Sequence, residues 1–241
     1  MIDTVLFDLD GTLLPLDLDK FTNIYFKEMG LAFQDLIDPE TLVKNIWSAT
    51  RCMIQNTDPK TNEEVFMEHF GHLVGEDLLP VYQERFDRFY DEGFINAKKT
   101  VSQSPQMIDS IHILKTKGYN LVIATNPLFP KKAIDHRIRW AGLTPDDFSY
   151  ITSYEQNHYC KPQLLFYQEL LADLNKQPGQ CLMVGNDVQE DLIAGELGIK
   201  TFLITNHLIH RNVSAIRSDY QGNYEAFHTF VKSLPQISKA S

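Results

Sequence analysis

The fold of this chain is decided by a stretch near its start, Thr4-Val5-Leu6-Phe7-Asp8-Leu9-Asp10-Gly11-Thr12. Its β-branched and aromatic beginning predicts a short buried strand, and its glycine predicts a turn directly after the two aspartates. Alternation along an extended backbone places Asp8 and Asp10 on the same side. Two carboxylates held that close repel each other, so the pair indicates either a solvated turn or a site that binds a cation.

Local sequence alone leaves both interpretations open. Asp-Gly is a common turn pair, and aspartate suits the exit of a strand. The spacing lacks the further oxygen ligands and the closing glutamate of a calcium-binding helix–loop–helix loop. Asp8 and Asp10 therefore need partners from elsewhere in the chain if they are to form a site.

The composition limits the class of protein. The chain has 241 residues, 43% of them hydrophobic and 22% charged, which is ordinary for a soluble globular protein. We expect a cytoplasmic protein, because there is no signal-peptide pattern and no apolar run long enough to span a bilayer. The cysteines, Cys52, Cys160 and Cys181, lack metal-ligand spacing and are interpreted as free thiols. A formal net charge of −10 argues against nucleic acid or an anionic membrane as a partner.

A block of helical periodicity follows the first strand. From about residue 17 to residue 92, apolar residues recur at helical spacing in four runs. Asp38-Pro39 predicts the start of the second helix, and Thr61 with Glu64 has the spacing of a capping box. We predict four amphipathic helices that bury their apolar stripes against one another. The aromatic residues expected in that buried interior are Trp47, Phe66 and Phe89.

Strands and helices alternate after a polar linker, which we predict from about residue 93 to residue 104. Apolar runs predict further strands at 121–124, 150–152, 181–184 and 201–204, and helical patterns predict helices at 105–117, 130–141, 162–174, 188–197 and 223–232. This alternation predicts an α/β fold with a doubly wound, mostly parallel, Rossmann-like sheet. The predicted domains are a core of residues 1–14 and 95–241 and an inserted helical domain of residues 15–94.

Polar side chains follow several of the predicted strands. Asp8 and Asp10 follow the first strand, Thr125 and Asn126 follow the second, and Asp187 follows the strand at 181–184. Ligands of such sheets bind beyond the carboxyl ends of the strands, so we expect these side chains to converge.

Two further charged residues are expected near the carboxyl ends of the predicted strands. Lys161 precedes Pro162 at a predicted helix start, where the helix dipole disfavours a cation unless an anion lies nearby. Asp191 lies one helical turn after Asp187, so one face could present both carboxylates, although aspartates also suit a helix N-terminus for structural reasons.

Taken together, these motifs resemble the haloacid dehalogenase-like hydrolase superfamily. The motifs are Asp8-Leu9-Asp10-Gly11-Thr12, Ala124-Thr125-Asn126, Lys161-Pro162, and Gly185-Asn186-Asp187 with Asp191. The resemblance covers residues 1–14 and about 95–205, and the inserted helices resemble the helical cap of that family in position. It implies a phosphatase that acts on a small phosphorylated metabolite and uses Mg²⁺ as its cofactor.

The resemblance also implies a role for each residue. Asp8 is implied to be the nucleophile that forms an aspartyl-phosphate, and Asp10 the group that protonates the leaving oxygen and then activates water. Magnesium is implied to lie between Asp8, the backbone carbonyl of Asp10, Asp187 and the phosphate. The implied phosphate-binding residues are Thr125, Asn126 and Lys161, with Lys161 also catalytic, and the implied supporting residues are Asp191 and Thr12.

Several alternatives are weighed against this interpretation. Dehalogenases of the superfamily lack the second aspartate, so the presence of Asp10 favours phosphoryl chemistry. Phosphosugar mutases keep both aspartates and therefore remain an alternative function. A phospho-acceptor signalling domain uses similar residues in a different order and a shorter chain. A catalytically inactive binding protein is disfavoured because every expected chemical group is present. The basic residues of the helical block, which we expect on a solvated face, are Lys44, Arg51, Arg85 and Arg88.

Overall fold

The computed structural model describes residues 1–211 and 215–237. Its centre is a six-stranded sheet in which every pairing is parallel, with the strand order β3-β2-β1-β4-β5-β6. The strands are β1 (Thr4–Phe7), β2 (Asn120–Ile123), β3 (Tyr150–Ile151), β4 (Cys181–Gly185), β5 (Lys200–Ile204) and β6 (Tyr220–Gly222). The predicted α/β fold is confirmed, and β6 is a strand that the sequence analysis missed.

The first strand lies in the middle of the sheet, and all four of its residues are buried. Phe7 at its carboxyl end is in register with Ile123 of β2 and with Val184 of β4. Because the three strands run parallel, the residues after each of them emerge at one edge of the sheet. This register is what brings the predicted motifs together.

Helices cover both faces of the sheet. They are α1 (Leu18–Phe33), α2 (Pro39–Gln55), α3 (Asn62–Val74), α4 (Leu79–Asp91), α5 (Pro105–Thr116), α6 (Lys131–Trp140), α7 (Leu164–Asp173) and α8 (Tyr224–Ser233). Val5 and Phe7 pack on one face in the same buried cluster as Ile111 of α5. Leu6 packs on the opposite face with Phe166 of α7. Alternation along β1 thus places successive side chains in two different cores, as a doubly wound sheet requires.

Helices α1 to α4, called here the helical segment, lie between β1 and the rest of the sheet in sequence. Their starts follow the predicted signals: Asp38 caps α2, with Pro39 as its first residue, and Thr61 and Glu64 form a reciprocal capping box at α3. Each such cap contributes about 1 kcal/mol because it satisfies otherwise unpaired backbone N–H groups.

The prediction of a polar linker at residues 93–104 is wrong in part. Residues Phe94–Thr100 form a 3₁₀-helix, and the Phe94 ring is fully buried. That ring lies 6.1 Å from Tyr25 of α1 and stacks 5.2 Å from Trp140 of α6. Burying a phenylalanine of this kind stabilises a fold by roughly 1.5–3 kcal/mol. Phe94 therefore joins the helical segment to the sheet domain.

Three further sequence predictions need correction. The region 188–197 is a turn followed by a 3₁₀-helix at Leu192–Leu197, not an α-helix. Helix α7 begins at Leu164, so Lys161 lies in the loop before it and not in its first turn. Trp47 is 52% exposed and does not belong to a buried interior, whereas Phe66 and Phe89 are buried as expected. Among the described residues, no helix combines the length and the apolar character needed to cross a bilayer.

Candidate active site

The turn after β1 is held against the loop after β4. Gly11 has φ +82°, and a Cβ there would lie 2.4 Å from Nδ2 of Asn186, so the close approach of the two loops requires glycine. The Thr12 hydroxyl donates to Oδ1 of Asn186 at 2.8 Å and lies 3.4 Å from Oδ2 of Asp8. Asn186 in turn donates to the backbone carbonyl of His207 at 2.7 Å. These bonds fix the position of Asp8 relative to the β4 loop.

Lys161 lies beneath the site and is only 1% exposed. Its Nζ donates to Oδ1 of Asp191 at 2.6 Å and to Oδ1 of Asp8 at 3.1 Å. An anion near this lysine was expected from its place before Pro162, and two carboxylates occupy that place. Burial works against a charge on Lys161, but Asp191 and Asp8 outweigh burial and raise the pKa of its ammonium group above the ordinary value.

Asp191 joins this lysine to the β4 loop. Its Oδ2 accepts the backbone N–H of Asp187 at 2.9 Å while its Oδ1 accepts from Lys161. Gly185 approaches so closely that a Cβ there would lie 2.1 Å from Oδ2 of Asp191. Asp191 therefore has its two oxygens satisfied from opposite sides, in a slot with no spare volume.

Asp187 presents its carboxylate at the same edge. Its Oδ1 accepts the backbone N–H groups of Gln189 and Glu190 at 2.9 and 3.0 Å. Its Oδ2 forms an ion pair with Nη1 of Arg211 at 2.5 Å, and the Arg211 side chain is half exposed. Arg211 comes from the segment after β5, and no local pattern in the sequence indicates this contact.

Thr125 and Asn126 follow β2, as predicted. Thr125 is buried, and its backbone carbonyl accepts from the Thr152 hydroxyl at 2.7 Å. The Asn126 side chain accepts the backbone N–H of Lys161 at 3.2 Å and donates to Oε2 of Glu190 at 3.1 Å. Asn126 therefore anchors the loop that carries Lys161.

Asp10 has a partner that the sequence analysis missed. Its Oδ2 forms an ion pair with Nη1 of Arg137 on α6, and its Oδ1 is buried without a partner. Arg137 is 1% exposed, and its guanidinium lies 4.4 Å above the ring of Phe129. The sequence contained one indication of this buried arginine, because Arg137 interrupts the apolar stripe of Ile134 and Ile138.

Burial perturbs the acids of the site. It raises the pKa of Asp8 to about 6, although Lys161 opposes the shift. It also raises the pKa of Asp191 above the ordinary value, against the same lysine. Burial raises the pKa of Glu190 to about 7, again with Lys161 opposing. Perturbed carboxyl groups that line a cavity are typical of catalytic sites.

The donor set fits a magnesium ion. Five carboxylates and three cations surround the ends of β1 and β4, namely Asp8, Asp10, Asp187, Glu190 and Asp191 with Lys161, Arg137 and Arg211. When all are ionised, two negative charges have no counter-charge. Within residues 1–211 and 215–237, no three metal-binding side chains form a ready-made cluster. Magnesium usually takes only one or two protein carboxylates and completes its shell with water and phosphate oxygens, which suits Asp8 and Asp187.

One cavity of about 640 Å³ collects most of the predicted site residues. The predicted residues on its wall are Asp8, Asp10, Thr125, Asn126, Asp187 and Asp191. Lys161 and Thr12 lie behind that wall and reach it through their contacts with Asp8. Helices of the helical segment supply much of the remaining wall, so the cavity lies between that segment and the edge of the sheet.

Comparison with known proteins gives this site a family context. The phosphoglycolate phosphatase of Haemophilus influenzae is 28% identical over 200 residues, covering 78% of this chain and 79% of that protein. The pyrophosphatase PpaX of Anoxybacillus flavithermus is 23% identical over 203 residues, covering 83% and 82%. The crystal structure of a 2-haloacid dehalogenase from Pseudomonas syringae pv. Tomato superposes with a TM-score of 0.63 at 19% identity, covering 97% of this chain and 99% of that one.

The similarity to the dehalogenase structure, at 19% identity, shows a shared fold and no more. The sequence model of the haloacid dehalogenase-like hydrolases matches residues 2–198, which is most of the chain and includes every motif quoted above. The chain therefore belongs to the haloacid dehalogenase-like hydrolase family.

Proposed function

We propose that this protein is a magnesium-dependent phosphatase that hydrolyses a small phosphate ester through an aspartyl-phosphate on Asp8. The observation that carries the proposal is the arrangement at the end of β1. Asp8 and Asp10 line one cavity, and the buried Nζ of Lys161 lies 3.1 Å from Oδ1 of Asp8. The presence of Asp10 supports phosphoryl transfer over dehalogenation, because the dehalogenases of this family lack a second aspartate.

In the proposed first step, the Asp8 carboxylate attacks phosphorus, the bond between phosphorus and the ester oxygen breaks, and Asp10 in its protonated form gives its proton to that leaving oxygen. In the second step, Asp10 takes a proton from water, the water oxygen bonds to the phosphorus of the aspartyl-phosphate, and the bond between phosphorus and Asp8 breaks, which releases phosphate and returns Asp10 to its protonated form. Lys161 offsets the negative charge that develops on the phosphoryl group, and Asp191 holds the lysine in place. Thr125 lies on the cavity wall where its hydroxyl can donate to a phosphate oxygen.

Asp8, the carbonyl of Asp10 and Asp187 are the groups proposed to hold Mg²⁺. When bound, the ion supplies charge neutralisation to the phosphate and orients it. Thr12 and Asn126 are proposed as supports, because they fix Asp8 and the Lys161 loop by the bonds described above. The proposed division is a core of residues 1–14 and 95–241 with residues 15–94 as a cap that excludes bulk water.

Relatives named as a phosphoglycolate phosphatase and a pyrophosphatase support the phosphatase assignment. We also propose that the enzyme works in the cytoplasm on a metabolite, without a nucleic acid or membrane partner. The burial of Asp8, which is 9% exposed at the bottom of the cavity, supports a small ester over a phosphoprotein, because a folded protein surface cannot reach a nucleophile at that depth.

The test is the release of phosphate from p-nitrophenyl phosphate with and without Mg²⁺. The expected result is that Asp8→Asn abolishes turnover while circular dichroism shows an intact fold. A matched control is Asp77→Asn, an exposed aspartate outside the cavity, which should keep full activity. Brief incubation of the native enzyme, quenched in acid, should add the mass of one phosphoryl group to the peptide that contains Asp8.

Turnover retained by Asp8→Asn would remove Asp8 as the nucleophile. A product that keeps its phosphate at a new position would identify a mutase, the alternative that shares both aspartates.

A further inference from the structure

The cavity has two chemically different ends. The carboxylates and their cations lie at the ends of β1 and β4, as described above. The opposite wall comes from the helical segment and is apolar, with Phe21, Ile46, Phe66, Met67 and Phe86 among its members. Of the described residues that line the cavity, none from α1 to α4 carries a charge. The part of a substrate that lies beyond the phosphate therefore faces apolar side chains.

The three tyrosine hydroxyls that line the cavity are already used within the protein, whereas the side chains of Thr22 and Thr50 line it as further polar groups. The Tyr25 and Tyr90 hydroxyls bond to each other at 3.0 Å, and both side chains are buried. The Tyr154 hydroxyl donates to Oε1 of Glu63 at 3.4 Å. A sugar or polyol with several hydroxyls would have only Thr22 and Thr50 as partners on this wall unless it displaced the tyrosine bonds, and each substrate hydroxyl left unpaired costs its desolvation energy.

The basic residues of the helical segment do not reach the cavity. Arg85 donates to Asp35 and to a backbone carbonyl of α1, and Arg88 pairs with Glu84. The two arginines that do line the cavity lie at its carboxylate end, where Arg137 pairs with Asp10 and Arg211 with Asp187. A second anionic group on the substrate, if it lay against the helical segment, would therefore meet no cation of that segment.

The rim of the cavity carries large apolar side chains beside the exposed polar residues Asp17, His207 and Arg211. Leu18 of α1, Trp47 of α2 and Leu208 after β5 line the cavity, and they are 51%, 52% and 42% exposed. Three large apolar side chains from separate segments, exposed at one opening, indicate a surface that an apolar ligand covers. This observation is independent of the composition of the inner wall.

We propose that the substrate is a phosphate monoester of an uncharged, apolar alcohol. This rests on the phosphatase function proposed above. A volume of about 640 Å³ suits a drug-sized ligand and is far larger than glycolate or phosphate requires. The phosphate lies at Asp8, the hydrocarbon part packs against Phe21, Phe66 and Phe86, and its far end reaches Trp47. The chain thus differs in substrate class from the relatives named after phosphoglycolate and pyrophosphate.

The experiment is a series of n-alkyl phosphates from ethyl to octyl, assayed as phosphate release with Mg²⁺. Two polar esters of similar size serve as matched comparisons, glycerol 3-phosphate for propyl phosphate and phosphoglycolate for ethyl phosphate. All four have a primary alcohol as the leaving group, so the chemical step changes little. We expect kcat/KM to rise by up to about fourfold per methylene until the cavity is filled. We also expect each alkyl ester to exceed its polar counterpart.

A substitution at the rim tests where the alkyl chain of the substrate binds. Trp47→Ala should lower the ratio of kcat/KM for octyl phosphate to that for ethyl phosphate by roughly fivefold or more, since the rim loses its largest apolar contact. Leu73→Ala, an exposed apolar residue of α3 outside the cavity, should leave that ratio unchanged. A ratio equally altered by both variants would overturn the placement of the alkyl chain.

The outcomes separate this inference from the phosphatase proposal. If glycerol 3-phosphate or phosphoglycolate is hydrolysed faster than its alkyl counterpart, or if chain length has no effect, the apolar substrate class is wrong while the phosphatase proposal stands. If no ester in the panel releases phosphate with Mg²⁺, the phosphatase function itself fails.

Discussion

The ion pair between Arg137 and Asp10 allows a stability measurement that does not depend on catalysis. Arg137→Met keeps much of the side-chain volume and removes the charge. The guanidinium is 1% exposed, so in the variant the Asp10 carboxylate loses a buried partner. Removing one partner of a fully buried ion pair costs 3–5 kcal/mol. The Asp10 side chain is 28% exposed and can regain water, so we expect a coupling free energy of about 2 kcal/mol, between the buried and surface ranges.

The assay is a double-mutant cycle of Arg137→Met and Asp10→Asn, with the free energy of unfolding measured by urea denaturation. Arg137→Met should destabilise the native protein more than it destabilises the Asp10→Asn variant. The matched control is the pair of Arg85 with Asp35, whose aspartate side chain is 60% exposed. For that surface pair we expect a coupling below about 1 kcal/mol.

A coupling for Arg137 and Asp10 within about 0.5 kcal/mol of zero would contradict this expectation, because the effects of substitutions at independent sites add to within about that value. A coupling no larger than that of the surface pair would do the same, since burial is what sets the expected difference.

The remaining predictions concern the core of the site and one distant cap. Lys161→Met should abolish turnover and lower the free energy of unfolding by roughly 3 kcal/mol, because two buried carboxylates lose their cation. The loss should be larger at pH 8 than at pH 5, because Asp8 in the folded protein, with a pKa of about 6, is mostly protonated at pH 5 and ionised at pH 8, where its buried charge needs the cation of Lys161. Urea denaturation at both pH values checks this, and an equal loss would contradict it. Gly185→Ala should inactivate the enzyme and cost at least about 2 kcal/mol, since its Cβ would lie 2.1 Å from the Asp191 carboxylate. Gly179→Ala, whose Cβ meets nothing within 4 Å, is its control, and similar melting curves for the two would disprove the clash. Thr61→Ala should cost about 1 kcal/mol through the lost cap of α3 without changing kcat, as checked by thermal melting and phosphate release.

The sequence alone predicted the parts of the site that depend on position along parallel strands. Phe7, Ile123 and Val184 are in register, so the polar residues that follow them meet at one edge without any further information. Short apolar runs between helical patterns specify such a sheet because a strand buried on both faces must be apolar throughout. Caps such as the Thr61 box were also predictable, since they involve residues three apart in the chain.

Other features were decided only by tertiary packing. Arg137 approaches Asp10 across 127 residues of chain, and Arg211 reaches Asp187 from the segment after β5. Phe94 packs in a segment that looked like a polar linker, and Trp47 lies at a cavity rim although it belongs to an amphipathic helix. Periodicity shows which face of an element avoids water, but it does not show which distant group that face meets. The shape of the cavity and the partners of its charges therefore exist only once the helices have packed on the sheet.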